Sequence, residues 1–109
     1  MPTFTQFKEI DLRVGVIVEA EQLPNPSYVT HRVVIDFGKE IGIKVSLANL
    51  RKYSLADLKG KLVVAIINLP VKQIGELFSE VLLLGAPDKE GQCVLIQPDK
   101  EVNVGSEVF

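Results

Sequence analysis

Few side chains in this sequence have the types and spacing that catalysis or metal binding requires. His31 is the only histidine and Cys93 is the only cysteine among the 109 residues. No serine or cysteine is placed in sequence to suggest a nucleophile–base pair with His31, and one histidine with one cysteine does not complete a zinc site. We expect His31 to be structural or partly exposed and Cys93 to be an inert buried thiol. The sequence therefore predicts no enzyme activity, no bound metal and no cofactor.

The polar residues that could bind a ligand lie around and between two apolar runs. Leu62–Leu69 and Val81–Leu84 have the length and the β-branched and leucine-rich composition of strands buried on both faces. The polar residues of this region are Asn68, Lys72, Gln73, Glu76, Ser79 and Glu80. Binding residues often lie on loops held by a rigid scaffold, so this segment is the candidate binding region. Its apolar residues are expected to hold it against the core, namely Val71, Ile74, Leu77 and Phe78.

Three strands are predicted before this region. Leu12–Glu21, Tyr28–Phe37 and Ile41–Val45 each alternate apolar with other side chains. In the first strand, Gly15 is either a bulge, which would turn Ile17 inward, or a point of close approach. The predicted inward face of the second strand consists of Val29, His31, Val33, Ile35 and Phe37. The predicted inward face of the third strand consists of Ile41, Ile43 and Val45, and the chain is expected to leave this strand at Ser46.

Two short helices are predicted from their capping residues. Thr3 with Gln6 three residues later fits a capping box and predicts a helix over Phe4–Ile10. A second N-cap signature begins at Ser54, and Gly60 stands where a C-terminal glycine is expected. The apolar stripe of the first helix consists of Phe4, Phe7 and Ile10. This stripe either closes one end of the core or forms a dimer contact.

The order of the predicted elements indicates a small barrel. Lys61–Leu69 and Glu80–Leu84 are the fourth and fifth strands, and Cys93–Gln97 is a further strand near the C-terminus. Five short strands, a helix between the third and the fourth, and no βαβ rhythm are typical of an all-β, five-stranded OB-fold barrel. We therefore predict one domain over residues 1–109, with extra strands at its C-terminal end.

Composition restricts the possible partners. Hydrophobic residues make up 47% of the chain and the mean hydropathy is +0.24, yet no apolar run approaches the roughly 20 residues that cross a bilayer. Surplus apolar content without a membrane span favours a homodimer, and a single cysteine favours a cytoplasmic protein. The net charge of −2 argues against strong nonspecific binding of nucleic acid. A local basic face would gather Arg13, Arg32, Lys44, Arg51, Lys52, Tyr53 and Lys72; the alternative is a solvated charged surface.

Several short motifs, in order and spacing, resemble those of the tRNA-binding domain family. They are Asp11-Leu12-Arg13-Val14-Gly15, Ile35-Asp36-Phe37-Gly38, Asn68-Leu69-Pro70, Lys72-Gln73-Ile74-Gly75 and Ser79-Glu80. Domains of this family are appended to methionyl- and phenylalanyl-tRNA synthetases and also occur as free-standing dimers. The likeness covers nearly the whole chain, and the segments around Ile35–Lys44 and Ser79–Gly85 are similar to the free-standing, CsaA-like, export-related chaperones.

The resemblance implies an OB-fold homodimer that binds tRNA mainly by shape and backbone contacts. The residues that it implies for tRNA binding are Ser46, Asn49, Asn68, Lys72, Ser79 and Glu80. Lys72 would contact phosphate, whereas Asn68 and Ser79 would bind sugar or bases or else cap their own loop. Glu80 would accept a base amino group or brace the loop. The dimer seam is expected between the N-terminal helix and Val102–Phe109.

The sequence also departs from the family pattern. Val16 stands where many members have lysine, and the loop Leu23–Ser27 is poor in positive charge. These departures keep open an alternative function, the binding of unfolded or pre-secretory polypeptides. The apolar groove that such a chaperone needs would be lined by Phe4, Phe7, Leu77 and Phe78.

Overall fold

A five-stranded antiparallel sheet, curled into a nearly closed barrel, forms the centre of the computed structural model, which describes residues 1–109. The helices are α1, Phe4–Glu9, and α2, Leu55–Leu58. The first strands are β1, Leu12–Gln22; β2, His31–Asp36; β3, Ile43–Ala48; and β4, Leu62–Ile66. The later strands are β5, Lys72–Ile74; β6, Leu77–Ser79; β7, Leu82–Leu83; β8, Gly85–Pro87; and β9, Cys93–Leu95. The central sheet has the order β3-β2-β1-β4-β7, and the predicted all-β, OB-like barrel with extra C-terminal strands is confirmed.

Strand β1 is long enough to serve two partners. It pairs with β4 from Leu12 to Val16 and with β2 from Val16 to Gln22. The pairing with β2 shifts register between Ile17 and Glu19, so of the two alternatives predicted at Gly15 the bulge is wrong. The close approach at Gly15 is confirmed, because a Cβ atom there would lie 2.5 Å from Cγ2 of Ile35. Ile17 is fully buried, although the alternation of Val14, Val16 and Val18 would place it on the opposite face.

The core lies inside the barrel, between the inward faces of the strands and α2. Its ten buried members are Ile17, Val33, Ile35, Phe37, Leu50, Leu58, Val63, Ala65, Val81 and Leu95. The predicted inward face of the second strand is confirmed, since Val29, His31, Val33, Ile35 and Phe37 are all buried. Apolar residues at every second position of one strand therefore supply much of this core.

The third strand is displaced from its predicted position. It runs from Ile43 to Ala48, so the chain does not leave the strand at Ser46. Ile43 is 61% exposed rather than inward, and Ser46 is buried. The reason is the preceding turn, which extends to Gly42 because Gly38 and Gly42 both have a φ near +90°. The strand therefore starts at Ile43, which pairs with Asp36.

The predicted helices form, with small changes at their ends. Thr3 Oγ1 accepts a hydrogen bond from the Gln6 amide, and Gln6 Oε1 accepts one from the Thr3 amide, so the capping box is confirmed. Helix α1 ends at Glu9, one residue before the predicted end, and buries none of its residues. Phe4 is 86% exposed, so the barrel does not cover the apolar stripe. Helix α2 begins after Ser54, whose Oγ accepts from the Asp57 amide.

The region between β4 and β7 is a two-stranded hairpin, β5–β6, turning at Gly75 and Glu76. The prediction that its apolar residues pin it to the core is wrong for Val71, Leu77 and Phe78, which are exposed. Strands β4 and β7 are also shorter than the predicted fourth and fifth strands. Hydrogen bonds between β3 and the side chains of Ser79 and Glu80 hold the base of the hairpin instead.

The C-terminal segment covers the edge of β1 that β2 leaves unpaired. The Val14 amide donates to the Ser106 carbonyl, the Gly105 amide donates to the Val14 carbonyl, and the Val108 amide donates to the Leu12 carbonyl. Phe109, which follows these paired residues, is fully exposed.

Buried His31 makes the stability of the barrel depend on pH. Its Nδ1 lies 2.6 Å from Thr30 Oγ1, its Nε2 has no hydrogen-bonding partner, and burial lowers the pKa of the imidazole. The unfolded chain therefore takes up a proton near pH ~6.5 that the folded chain resists. We expect the free energy of unfolding to keep its full value above that pH. It should decrease as the pH falls below it. Urea unfolding at several pH values checks this result.

His31→Gln is the matched control for that measurement, since it removes the titrating group and leaves every carboxylate in place. The decrease below pH ~6.5 should be smaller in this variant. Equal pH dependence in both proteins would show that His31 does not contribute.

Candidate nucleic-acid interface

A groove runs along the barrel between the end of β3, the β5–β6 hairpin and β7. Its volume is about 270 Å³. Apolar side chains of Leu47, Leu82 and Leu83 line it, and the polar or aromatic residues along it are Tyr28, Asn49, Lys72 and Ser79. We call it the Tyr28 groove. Three of the six residues implied by the family resemblance therefore line one feature of the surface.

Lys72 and Tyr28 form the charged and aromatic part of the Tyr28 groove. The Nζ atom of Lys72 lies 5.4 Å from the centroid of the Tyr28 ring, within the range of a cation–π contact. Tyr28 is 60% exposed and Lys72 is exposed as well. An exposed aromatic ring beside a lysine is an arrangement that stacks bases and binds phosphate.

Arg51 lies next to the same loop. Its guanidinium donates to the Ser27 carbonyl at 3.2 Å, one residue before Tyr28, and its amide donates to Asn49 Oδ1 at 3.4 Å. The segment that leaves β3 is thereby tied to the loop that carries the aromatic ring. Neither Arg51 nor Lys72 takes part in an ion pair with a carboxylate.

Ser79 and Glu80 close the barrel by capping β3. Ser79 Oγ accepts from the Leu47 amide and donates to the Val81 carbonyl, at 3.0 and 3.1 Å. The Glu80 carboxylate accepts from the Val45 amide at 3.0 Å, while the Glu80 amide donates to the Val45 carbonyl. Both side chains therefore take the place of a paired strand along this edge of β3, and their oxygens are engaged with the chain's own backbone.

Asn68 and Ser46 lie outside the Tyr28 groove. Asn68 Oδ1 accepts from the Asp11 amide at 2.9 Å, and its Nδ2 donates to the Glu9 carbonyl at 2.7 Å, which fixes the end of α1 beside the end of β4. Ser46 is 1% exposed and its hydroxyl has no hydrogen-bonding partner. The structure thus gathers Asn49, Lys72 and Ser79, and it separates Asn68 and Ser46 from them.

Carboxylates offset part of the basic face that was proposed from seven residues. Arg13 pairs with Asp11 and Glu107, Arg32 pairs with Glu21, and Lys52 pairs with Asp88 and Glu90. Carboxylates therefore neutralise three of these cations. The Tyr53 hydroxyl is also engaged, because it accepts from the Leu95 amide at 3.0 Å. Of these residues, Lys72 lines the Tyr28 groove and Arg51 lies beside the loop that carries Tyr28.

A second groove continues from the first towards the hairpin turn. It has a volume of about 490 Å³ and shares Val29 and Ile74 with the Tyr28 groove. Its lining combines apolar Leu23 and Leu77 with acidic Glu76. The negative charge makes it a poorer surface for RNA than the Tyr28 groove.

No group of three or more histidine, cysteine, aspartate or glutamate side chains is arranged to hold a metal ion. Cys93 is half-buried, and burial raises the pKa of its thiol, so the reactive thiolate is disfavoured. No helix is long and apolar enough to cross a membrane.

The sequence did not identify Tyr28 as a binding residue, and it did not predict that Arg51 lies beside the loop of Tyr28. Tyr28 was assigned to a strand, whereas it lies in the loop before β2, which starts at His31. The usable signal was Pro26 two residues before it, since proline favours a loop and loops run over the protein surface.

Comparison with solved structures supports the same fold. The chaperone CsaA from Bacillus anthracis str. Ames is 39% identical, with a TM-score of 0.87 over 100% of this chain and 99% of that one. The CsaA chaperone protein from Picrophilus torridus is 36% identical, with a TM-score of 0.92 over the full length of both chains.

Sequence comparison leads to synthetases and to a family. The methionine–tRNA ligase of Methanothrix thermoacetophila is 41% identical over 103 residues, which are 94% of this chain and 15% of that protein. The corresponding enzyme of Pyrococcus horikoshii is 38% identical over 106 residues, which are 96% of this chain and 14% of the enzyme. The chain thus spans about 15% of the length of the curated relatives it matches. The family model described as the putative tRNA binding domain matches residues 12–107, and the chain belongs to that family.

Proposed function

We propose that this chain is a non-catalytic, CsaA-like tRNA-binding protein that acts in the cytoplasm as a homodimer, with residues 1–109 as one binding domain. The observation that carries the proposal is the Tyr28 groove, where an exposed aromatic ring stands beside Lys72 and Arg51. RNA helices are bound through backbone and 2′-OH contacts, so a few cations and polar groups on a rigid face are sufficient. The family match over residues 12–107 supports tRNA as the nucleic acid.

The proposed roles of the six site residues follow from their surroundings. Lys72 binds phosphate and Asn49 binds sugar or a base edge at the Tyr28 groove. The other four residues support the fold rather than bind phosphate: Ser46 lies in the interior, Asn68 holds the end of α1, and Ser79 and Glu80 brace β3. The backbone hydrogen bonds of Asn68, Ser79 and Glu80 and the burial of Ser46 support these roles.

The homodimer is proposed on the apolar stripe of α1. Phe4, Phe7 and Ile10 are 86%, 39% and 44% exposed on a helix that buries no residue against its own barrel. A second copy would remove this surface from water, and Phe109 at the exposed C-terminal end would add to the seam. Two copies also present two Tyr28 grooves to one tRNA, which raises the effective concentration of the second contact.

Fluorescence anisotropy with labelled bulk tRNA tests the proposed function. We expect saturable binding that weakens as monovalent salt rises from about 50 to about 200 mM, because phosphate contacts release counterions. The double variant Lys72→Ala/Arg51→Ala should bind more weakly than wild type. Its matched control, Lys59→Ala/Lys100→Ala, removes the same charge from exposed lysines that do not line the Tyr28 groove. Absence of tRNA binding at low salt, or equal losses in both double variants, would refute the proposal.

Exposed apolar side chains favour a second candidate function, the binding of unfolded or pre-secretory polypeptides. Val71 and Phe78 are 58% and 54% exposed on the hairpin, and Leu77 lines the second groove. Two similar solved structures are described as CsaA chaperones. Light scattering of an aggregating client tests this function with wild type and Leu77→Ser/Phe78→Ser. No suppression at stoichiometric protein, or equal suppression by both proteins, would count against it.

A further inference from the structure

We propose that the Tyr28 groove holds one unpaired nucleobase of the bound RNA, stacked on the Tyr28 ring, with the phosphate of that nucleotide on Lys72. This inference rests on the proposed function and specifies which part of an RNA the groove takes. It divides the interface into a surface that follows the backbone and a single position that accepts a base.

The size and lining of the groove fit a small, flat, apolar group. Its volume of about 270 Å³ lies just below the range of roughly 300–1,000 Å³ that is typical of pockets for drug-sized ligands. Leu47, Leu82 and Leu83 give it an apolar lining. A phosphate would lose its hydration on such a surface without compensation, whereas the π-face of a base is compatible with it.

The charge at the groove selects a nucleotide over an apolar amino-acid side chain. Lys72 lines it, Arg51 is bonded to the Ser27 carbonyl one residue before Tyr28, and neither makes an ion pair with a carboxylate. A ligand that fills the groove and also uses these cations must combine a planar apolar face with a nearby negative charge. A nucleotide has both groups linked through its ribose, and a polypeptide has no such regular pairing.

The base must be unpaired to reach the ring. In an RNA helix the flat faces of the bases are covered by their stacked neighbours, whereas loops, bulges and ends offer bases that can be splayed out. Stacking on an aromatic side chain depends little on which base is presented. The groove therefore selects an accessible base without choosing among the four, and Asn49 supplies an amide near its edge.

The loop that carries Tyr28 is held in place before any ligand arrives. The Leu23 amide donates to the Thr30 carbonyl, the Thr30 amide donates to the Ala48 carbonyl, and Thr30 Oγ1 accepts from the Leu50 amide at 2.9 Å. These bonds tie the loop to the end of β3, so little ordering is needed on binding. Lys72 rests over the ring, and its flexible side chain allows the ammonium to move to a phosphate.

Fluorescence of a single-stranded RNA carrying one 2-aminopurine tests this inference on the full chain. The probe is expected to change its emission on binding to wild type and to Tyr28→Phe, which keeps an aromatic face. Tyr28→Ala should lose this change and should bind the strand about 5- to 150-fold more weakly, the range that corresponds to one stacked base. A fully paired RNA hairpin closed by a short linker should bind more weakly than the single strand and should be unaffected by Tyr28→Ala.

Thermal unfolding of Tyr28→Ala controls for folding, and little change is expected because Tyr28 is 60% exposed and outside the core. If bulk tRNA binds with salt dependence while Tyr28→Ala binds the single strand like wild type, the inference is overturned and the proposed function stands. If the paired hairpin binds as tightly as the single strand, the groove does not select an unpaired base. If no RNA binds, the proposed function fails and the inference fails with it.

Discussion

A Phe4→Asp/Phe7→Asp variant is expected to be a monomer of 12.0 kDa that binds tRNA at least about 100-fold more weakly than the wild-type dimer. The reason is that both rings belong to the exposed stripe of α1, and a carboxylate in an apolar seam loses hydration without a partner. The loss of tRNA affinity follows from the loss of the second Tyr28 groove rather than from any change in the first. Folding should be retained, since α1 buries no residue against the barrel.

Lys8→Asp is the matched control for this variant. It makes the same helix more negative by the same two charges, since residue 8 changes from +1 to −1, without altering the apolar stripe. Sedimentation velocity at micromolar protein should find wild type and Lys8→Asp as dimers and the double variant as a monomer. A wild-type protein that sediments as a monomer would refute the homodimer. A double variant that remains dimeric would show that the dimer contact does not lie on α1.

Gly15→Ala is expected to lower the free energy of unfolding by about 1–3 kcal/mol or more. A Cβ atom at this position would lie 2.5 Å from Ile35 Cγ2 and 2.8 Å from Phe37 Cε1, and both residues are buried. The barrel interior is closely packed, so the methyl group forces these side chains from their positions or opens the pairing between β1 and β4. Urea unfolding measures the loss.

Glu19→Ala provides the comparison for Gly15→Ala, because it lies on the same strand and is exposed. Its effect should stay within about 0.5 kcal/mol, as for most surface substitutions. A Gly15→Ala protein as stable as wild type would show that the barrel accommodates the methyl group. The close approach at Gly15 would then not be required for stability.

The parts of the fold that depend on local chemistry could be predicted from the sequence. The capping box at Thr3 and the N-cap at Ser54 each rest on residues three positions apart, and both form as expected. The inward face of β2 follows from the period of two along one strand. Positions that depend on a partner strand were predicted less well. The register shift lies near Ile17 and Glu19 because it is set by the pairing of β1 with β2, which the residues of β1 alone do not specify.

The residues of the candidate site could likewise be predicted only in part. Lys72, Asn49 and Ser79 were implied by the family resemblance, and they line one groove. The hydrogen bonds of Ser79 and Glu80 connect residues 32 and 35 positions apart, so no local pattern could indicate them. They also explain why the hairpin keeps its place while its apolar side chains remain exposed. Tyr28 joins the groove only through the course of its loop.

The measurement that tests the central claim most directly is the salt dependence of tRNA binding by wild type and Lys72→Ala. The claim is that tRNA binds at the Tyr28 groove with Lys72 on a phosphate. Plots of the logarithm of the binding constant against the logarithm of salt concentration should be linear, and the slope for Lys72→Ala should be smaller by about one unit because one phosphate contact is lost. Lys59→Ala should keep the wild-type slope. Parallel lines for wild type and Lys72→Ala would contradict the account.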